Sequence, residues 1–471
     1  MDAKQQALFR RLPGVDHVLA LWDKSDTEKQ VPRPVVVKSI RKVIEDLRLR
    51  ISTSDDGVDE TLFSDAALLR LTQAVVEEKM GYNLKRVINA TGVVIHTNLG
   101  RSLLAPEVAK HVADLTTRYS NLEFDLGQGK RGSRYSAVED ILCEISGAEA
   151  ALVVNNNAGA VFLTLETLAR EREVIVSRGE LVEIGGSFRI PDVMARSNAR
   201  LVEVGTTNRT HPMDYERAIG ENTALLLKVH TSNYAIVGFT ADVSLEDLVT
   251  LGKRYRLPVM KDLGSGSFID FSQYGLIHEP TVQETVAAGA DVVTFSGDKM
   301  LGGPQAGIVV GKKDVVECIK QNPVNRALRI DKMTLAALEA TLHLYRDERK
   351  ALSEVPTLRM LTLPVKEIAK KATRLRNRLK ATGDNRLKVE VFNGSSRVGV
   401  GWRPLQSHPT KSVGVYIEGL SASRLEGHMR KASPPIVGRI EDEWMVFDLR
   451  TVQSEEISVI SDTVKEILRH A

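Results

Sequence analysis

The chain has 471 residues, of which 42% are hydrophobic and 27% charged, and its formal net charge is +3. This composition is typical of a globular protein, and the length predicts two or three domains. The near-neutral charge gives no nucleic-acid signal by itself, and two cysteines exclude a disulfide framework and a cysteine-ligated zinc site. No signal peptide or membrane-length apolar run is found, so we expect a cytoplasmic protein with no membrane partner and no metal.

Residues 1–75 predict a small helical domain, followed by a linker over residues 76–90. Apolar residues recur at helical spacing in its third helix, as in Val36, Ile40 and Val43. Basic residues in and around this helix outnumber acidic ones: Arg33, Lys38, Arg41, Lys42, Arg48 and Arg50. The residues alone favour a solvated helix face, while a surface that binds RNA phosphates is the alternative.

Residues 91–338 predict a large α/β domain, because strand-like and helix-like runs alternate. Such alternation predicts a mainly parallel sheet sandwiched by helices, which binds ligands at the carboxyl ends of its strands. The strand-like runs are residues 151–154, 174–176, 200–204, 224–229, 259–260, 292–295 and 308–310, and two of the helical ones are 214–219 and 244–255.

Residues 339–471 predict a smaller α+β domain. A basic helix over residues 365–380 precedes three strand-like runs, and a final helix closes the chain. The strands are expected at residues 387–392, 413–416 and 444–448, and the last helix at residues 454–468.

Three polar groups follow predicted strands of the large domain. Asn155, Asn156 and Asn157 form a turn before a helical pattern, Asp262 ends a second strand, and Lys299 follows a third. A strand, a small polar turn and a helix start make a phosphate site. A carboxylate can keep a pyridine nitrogen protonated, and a desolvated lysine can form a Schiff base. The order predicts a pyridoxal 5'-phosphate site.

Each signal has an ordinary structural alternative. Lys299 fits a surface lysine in a glycine loop, and the asparagines fit a plain polar turn. The helix that follows the asparagines favours an anion site, with Asn156, Asn157 and Ala158 as phosphate-binding candidates. Ser296 is a further candidate, since its position three residues before Lys299 resembles that of the hydroxyl which fold-type-I pyridoxal phosphate enzymes often place on the cofactor phosphate.

Several long segments resemble the bacterial selenocysteine synthase family, also named L-seryl-tRNA(Sec) selenium transferase. The resemblance extends from near the N-terminus almost to the C-terminus. It is carried by residues 86–101, 127–135, 153–160, 183–186, 204–208, 296–307 and 434–439.

The resemblance implies a fold-type-I pyridoxal phosphate enzyme that converts seryl-tRNA(Sec) to selenocysteinyl-tRNA(Sec). In that family the serine hydroxyl is eliminated to give an aminoacrylyl-tRNA, to which selenium from selenophosphate is added. The family also implies that the N-terminal domain holds the tRNA. It further implies a homodecamer built as a pentamer of dimers.

The resemblance assigns roles to several residues. Lys299 would carry the cofactor and act as the base, and Asp262 would hold the ring-nitrogen proton. Asp298 is the candidate proton donor to the leaving hydroxyl, although capping its own turn is an equally good role. The substrate-binding candidates are Arg101, Arg326 and Arg329, of which the last two are expected to share one helix face.

Other residues stay open at this stage. Arg131 and Arg134 are weaker candidates for the same pocket or the tRNA end. His230 is a candidate for contact with the cofactor ring, and an ordinary hydrogen-bonded histidine at a strand end is an equally good interpretation. Arg450 is left unassigned, because the substrate carboxyl would be an uncharged ester to tRNA.

Two other functions are considered. A pyridoxal phosphate lyase or ammonia-lyase acting on a small free amino acid or amino sugar acid would share the core but not need the N-terminal helices. A tRNA-binding protein with a decayed cofactor site is disfavoured by the asparagine turn, Asp262 and Lys299.

Overall fold

The computed structural model describes residues 3–25, 31–53, 59–184, 188–230, 234–399 and 408–470. The 183–186 segment therefore lies partly outside the described residues. The chain divides into two compact units, Met1–Arg86 and Val87–Ala471. In the described part of the chain, no helix has both the length and the apolar character needed to cross a membrane.

The first unit is helical. Its helices pack around a core that includes Val18, Trp22 and Leu68. Its last helix runs beyond residue 75, into the predicted linker, since apolar residues up to Val76 are buried. The four helices are α1 (Ala3–Arg10), α2 (Val15–Lys24), α3 (Arg33–Thr53) and α4 (Asp65–Met80).

Helix α3 has one buried and one charged face. Val36, Ile40, Val43 and Leu47 are buried at the spacing that the sequence predicts. The basic residues are exposed on the other side: Arg33, Lys38, Arg41, Lys42, Arg48 and Arg50. The amphipathic pattern therefore buries the apolar residues and leaves a cationic surface.

The second unit contains the remaining helices and all strands of the described chain. The helices are α5 (Pro106–Thr116), α6 (Glu139–Ser146), α7 (Asn157–Leu168), α8 (Ile190–Arg196), α9 (Pro212–Ala218), α10 (Leu245–Tyr255), α11 (Val282–Ala287), α12 (Lys313–Gln321), α13 (Lys332–Leu344), α14 (Glu348–Glu354), α15 (Pro356–Thr362), α16 (Val365–Lys380), α17 (Ala422–Lys431) and α18 (Glu456–His470). The strands are β1 (Ile88–Asn89), β2 (Val93–Ile95), β3 (Phe124–Asp125), β4 (Lys130–Arg131), β5 (Ala150–Val154), β6 (Glu173–Ser177), β7 (Glu183–Ile184), β8 (Phe188–Arg189), β9 (Arg200–Val204), β10 (Thr223–Val229), β11 (Val259–Gly264), β12 (Val292–Ser296), β13 (Gly307–Gly311), β14 (Leu387–Gly399), β15 (His408–Ile417), β16 (Ile436–Val437), β17 (Arg439–Glu441) and β18 (Trp444–Asp448).

The central sheet has seven strands in the order β5-β13-β12-β11-β10-β6-β9. The pairings from β12 to β9 are parallel, while β13 runs antiparallel to both of its neighbours. Alternate residues of β5 enter different cores, with Leu152 and Val154 in one and Ala151 and Val153 in the other. Both sheet faces are therefore covered, and the predicted mainly parallel sheet between helices is confirmed.

A second sheet of five strands has the order β17-β18-β15-β14-β2. Strand β2 comes from the segment before the large sheet and pairs in parallel with β14, while β1 pairs with β16. Residues 88–95, predicted as linker and large-domain start, therefore contribute strands to C-terminal structure. A single apolar run cannot show which distant strand it will pair with.

Helix α13 crosses the predicted boundary at residue 338. Asp331 caps it by accepting hydrogen bonds from the backbone N–H groups of Met333 and Thr334, at 2.8 and 3.1 Å. Leu335 and Leu342 are buried in a core that also contains strand residues of the large sheet. The helix is thus continuous across residue 338.

Candidate functional site

Asp262 lies at the carboxyl end of the large sheet. It is buried on β11, and in the parallel pairing with β12 it stands opposite Thr294. Its Oδ1 accepts two hydrogen bonds, from Nδ2 of Asn157 at 3.0 Å and from Oγ1 of Thr294 at 3.1 Å. Both donors bind Oδ1 and so hold the carboxylate from one side, and neither of them binds Oδ2.

The asparagine turn is the start of helix α7. Asn156 is the N-cap residue, and its Oδ1 accepts a hydrogen bond from the N–H of Gly159 at 2.8 Å. A Cβ at Gly307 of β13 would stand 2.0 Å from the Asn156 carbonyl oxygen, so only glycine fits there. The close approach of β13 fixes the backbone at the helix N-terminus, where Ala158 is exposed.

Lys299 lies in the turn that follows β12. Burial lowers the pKa of its ammonium group. The negative charge of Asp262 raises this pKa, and the positive charge of nearby Arg101 lowers it further. Asp298 and Glu279 also act on this pKa, both in the opposing direction. Charged groups from three other segments of the chain, together with the adjacent Asp298, therefore act on one lysine, and Lys299 and Asp262 belong to one site.

Asp298 forms an ion pair next to this lysine. Nη1 of Arg101 donates to Asp298 Oδ2 at 2.8 Å, and the Asp298 side chain is 8% exposed. The other oxygen, Oδ1, is buried and has no hydrogen-bond partner in the described part of the chain. Ser102 donates to the carbonyl oxygens of Asp298 and Lys299, at 2.9 and 2.8 Å, and so fixes the same turn.

Ser296 is buried at the last position of β12, and a glycine follows it. A Cβ at Gly297 would come within 2.6 Å of the Pro304 carbonyl oxygen. The chain can therefore reverse tightly between β12 and β13, and this reversal brings Ser296 beside Gly307 in the antiparallel pairing.

The prediction that Arg326 and Arg329 share one helix face is wrong. A short 3-10 helix begins at Pro323 and ends at Arg326, whereas Arg329 forms an extended backbone bridge with Val154. The cause is the competing pairing of this segment with the end of β5. Both arginines are exposed, and Nη1 of Arg329 lies 3.6 Å from Oε1 of Glu123.

Arg131 and Arg134 differ in their surroundings. Arg131 is 78% exposed, while the Arg134 side chain is 9% exposed. Arg134 donates to the Ile330 carbonyl oxygen and to Glu123, with Nε 3.0 Å from Oε1. Arg134 thus has a structural role in holding the 328–330 segment, and Arg131 remains accessible.

His230 stands beside Asp262 at the end of β10. Its backbone N–H donates to the Asp262 carbonyl oxygen at 2.9 Å, and its Nε2 is 2.7 Å from Oε1 of the buried Glu279. Glu279 also acts on the pKa of Lys299. An imidazole–carboxylate pair therefore borders the site.

Arg450 lies in the interior of the C-terminal structure. It is fully buried, and its guanidinium donates to the carbonyl oxygens of Met360 at 2.7 Å, Leu363 at 3.2 Å and Pro409 at 2.7 Å. Burial lowers its pKa to about 10. These contacts give Arg450, which the sequence left unassigned, a structural role.

The structure thus brings together Asn157, Asp262, Asp298, Lys299 and Arg101. Among the described residues, no hydrogen bond joins Arg326 or Arg329 to any of these five. Sequence reasoning missed the neighbours Thr294, Glu279 and Ser102. Of these three, only Thr294 could have been found from the sequence, because it lies on the predicted strand that precedes Lys299.

Comparison with known proteins identifies the family. The sequence profile described as L-seryl-tRNA selenium transferase matches residues 87–453, and the one described as selenocysteine synthase N terminal matches residues 9–48. A relative named L-seryl-tRNA(Sec) selenium transferase from Geotalea daltonii is 53% identical over 98% of this chain and 99% of its own length. A relative of the same name from Desulfotalea psychrophila is 57% identical over 84% of this chain and 85% of its own.

Among solved structures, that of D-glucosaminate-6-phosphate ammonia-lyase aligns with a TM-score of 0.59 and 22% identity, over 84% of this chain and 98% of that chain. This likeness concerns the fold alone, and it confirms the predicted fold class. The matches to the family profiles and to the full-length relatives go further. This chain belongs to the L-seryl-tRNA selenium transferase family.

Proposed function

We propose that this protein converts seryl-tRNA(Sec) to selenocysteinyl-tRNA(Sec), with pyridoxal phosphate as cofactor and selenophosphate as selenium donor. One observation carries the proposal: in a chain of this family, Lys299 follows β12, Asp262 lies on the neighbouring strand β11, and the two interact electrostatically. A lysine and a carboxylate so placed are the two protein groups that pyridoxal phosphate chemistry requires.

The residues present fit pyridoxal phosphate. Oδ1 of Asn157 and Oδ1 of Asp298 are buried without a hydrogen-bond partner among the residues described, and buried polar atoms normally have one. The first N–H groups of α7, those of Asn157 and Ala158, have no acceptor within the helix and favour an anion. These N–H groups and Ser296 would hold the phosphate, Lys299 the aldehyde carbon and Asp262 the ring nitrogen.

When bound, pyridoxal phosphate supplies an electron sink that stabilises the negative charge left at the serine α-carbon. Lys299 would take the α-proton, because its lowered pKa increases the neutral fraction of its amine. Asp262 would hold a proton on the ring nitrogen. Asn157 and Thr294 orient that carboxylate through Oδ1.

Asp298 would pass to the departing serine hydroxyl a proton that it receives from Lys299, after Lys299 has taken the α-proton. Arg101 holds Oδ2, while the buried Oδ1 has no partner in the described chain. A carboxyl group fixed at one oxygen and available at the other is suited to general acid catalysis. Lys299, once it holds the α-proton, is the other candidate donor.

Selenophosphate would be bound by Arg101, Arg326 and Arg329. Arg101 uses one nitrogen on Asp298, and a guanidinium has five N–H donors, so others can reach an anion. The exposure of Arg326 and Arg329 leaves their guanidinium groups accessible to an incoming anion.

The tRNA would be held by the first unit, through the exposed basic face of α3. From the family resemblance we also expect a homodecamer built as a pentamer of dimers, and a location in the cytoplasm. Light scattering of the purified protein would check that number of subunits.

The substrate can be tested by comparing three compounds: seryl-tRNA(Sec), seryl-tRNA(Ser) and free serine. We expect a change in visible cofactor absorption, and selenium incorporation on addition of selenophosphate, with seryl-tRNA(Sec) only. Lys299→Ala is the matched control and should respond to none. A response to free serine alone would contradict the proposal and identify a lyase that acts on a small amino acid.

A further inference from the structure

A cavity of about 300 Å³ opens on the face of the large sheet opposite to the side chain of Asp262. Lys228 of β10 and Lys261 of β11 are opposite each other in the parallel pairing, as are Val229 and Asp262. Because side chains alternate between sheet faces, the two lysines share the face opposite to Asp262. The cavity wall includes Ser177, Glu180, Arg209, Lys228, Thr240 and Lys261.

One of these lysines is fully paired. Nζ of Lys228 donates to Oε1 of Glu180 at 3.0 Å and to the Val243 carbonyl oxygen, and it lies 3.5 Å from Oδ2 of Asp242. The remaining carboxylate oxygen of Glu180 accepts from the N–H of Val229 at 2.8 Å. The ammonium group of Lys228 and both carboxylate oxygens of Glu180 therefore already have hydrogen-bond partners within the protein.

Lys261 is different. It is 5% exposed, and no hydrogen-bond acceptor for its Nζ occurs among the described residues 3–25, 31–53, 59–184, 188–230, 234–399 and 408–470. Burial lowers its pKa to about 8; Glu180, Asp242 and Asp262 oppose this shift, and Lys228 adds to it. Lys261 lines the cavity, and its ammonium group is a donor without a protein acceptor in the described chain, so a bound group of opposite charge could accept its hydrogen bonds.

The charges of the cavity favour an anion. Its deep wall has two ammonium groups, of Lys228 and Lys261, against one carboxylate, of Glu180, while the Asp242 side chain is 87% exposed at the rim. Arg209 adds an exposed guanidinium at the mouth. The volume corresponds to roughly ten water molecules at about 30 Å³ each, which is ample for a tetrahedral oxyanion.

We propose that this cavity is a binding site for a small oxyanion of the phosphate class, held by the ammonium group of Lys261, with Arg209 at the entrance. The anion would accept charge-assisted hydrogen bonds from the Lys261 ammonium and neutralise the excess positive charge of the deep wall. His230 lines this cavity and also borders the Lys299 site, but Lys261, the proposed donor to the anion, lies on the sheet face opposite to Asp262. The inference does not depend on the proposed reaction.

The first test labels the amines of the cofactor-loaded wild-type protein with acetic anhydride at pH 8, in inorganic phosphate or in chloride of equal ionic strength. Mass spectrometry then gives the labelling rate of each lysine. We expect phosphate to slow labelling of Lys261 at least fivefold and to leave Lys253, an exposed lysine on α10, unchanged. An equal rate at Lys261 in both salts would overturn the proposal.

The second test is a calorimetric titration with inorganic phosphate of Lys261→Met and of Lys253→Met, its matched control. Thermal unfolding first establishes that both variants fold. Lys261→Met should lose at least tenfold in affinity for one phosphate per chain, whereas Lys253→Met should bind as the wild type does. Equal phosphate binding by both variants would contradict the assignment.

Discussion

The ionisation of one amine, that of Lys299, controls attachment of the cofactor in this account. A lysine amine attacks a carbonyl only in its neutral form, and burial lowers the pKa of Lys299 below that of a free lysine. We therefore expect the rate at which apo protein takes up pyridoxal phosphate to rise with pH and to level off at a lower pH than the reaction of pyridoxal phosphate with a free lysine side chain. Stopped-flow absorbance at a series of pH values measures both rates, and a plateau at the same pH as for the free side chain, or at a higher one, would contradict the assignment.

Replacement of Asp298 separates a catalytic from a structural role. Asp298→Asn keeps the size and an oxygen for Arg101 but removes the acid, so selenium transfer should fall roughly 10²–10⁴-fold. Visible cofactor absorption should persist, because Lys299 and Asp262 are unchanged. Single-turnover assays with seryl-tRNA(Sec) measure the loss, and a variant within twofold of wild type would show that Asp298 only caps the turn.

Individual residues also show what the sequence can predict about the site. Asn156, Asp262 and Lys299 could be proposed because strand ends and chain order are local properties. Glu279 could not, since its approach to His230 depends on how two distant loops fold. The helix expected for Arg326 and Arg329 failed because the pairing of the segment with β5 outweighs its local helical spacing.

Between elements, Arg450 joins parts of the C-terminal structure that are far apart in sequence. It follows β18, and its guanidinium reaches the end of α15 and strand β15. Arg450→Met would remove the guanidinium donor from three carbonyl oxygens, one in a buried contact and two in part-buried contacts, so we expect a loss of about 3 kcal/mol in the free energy of unfolding. Urea unfolding of the variant and the wild type measures this difference in the free energy of unfolding.

The matched control for Arg450 is Arg374→Met, on the exposed side of α16. It should change the free energy of unfolding by less than about 0.5 kcal/mol. Equal effects of the two substitutions would show that the carbonyl contacts of Arg450 contribute no stability.

The element boundaries were predictable where the apolar pattern was regular. Helix α16 and strand β18 agree with the residues expected from sequence, 365–380 and 444–448. The pairing of β2 with β14 was not predictable, because a run of three apolar residues carries no information about its partner.

On the scale of the whole molecule, the first unit is assigned to tRNA through the cationic face of α3. Reversing the charge of Lys38, Arg41 and Lys42 should weaken binding of seryl-tRNA(Sec) at least tenfold, since phosphate contacts are electrostatic. All three are exposed, so the fold should persist. Filter binding at several salt concentrations measures the effect.

The control for α3 is a variant with the same change in charge on α16, at the exposed residues Lys366, Lys370 and Arg374. It should bind tRNA nearly as well as wild type. A loss of equal size in both variants would mean that overall charge, rather than the α3 surface, governs binding.

Reduction of the cofactor-loaded protein with borohydride, followed by peptide mapping, would show which lysine carries the cofactor. We expect the mass of the reduced cofactor on Lys299, and we expect the visible absorption band to disappear on reduction. Recovery of that mass on Lys261, the other buried lysine of lowered pKa beside Asp262, or on no lysine at all would contradict this expectation.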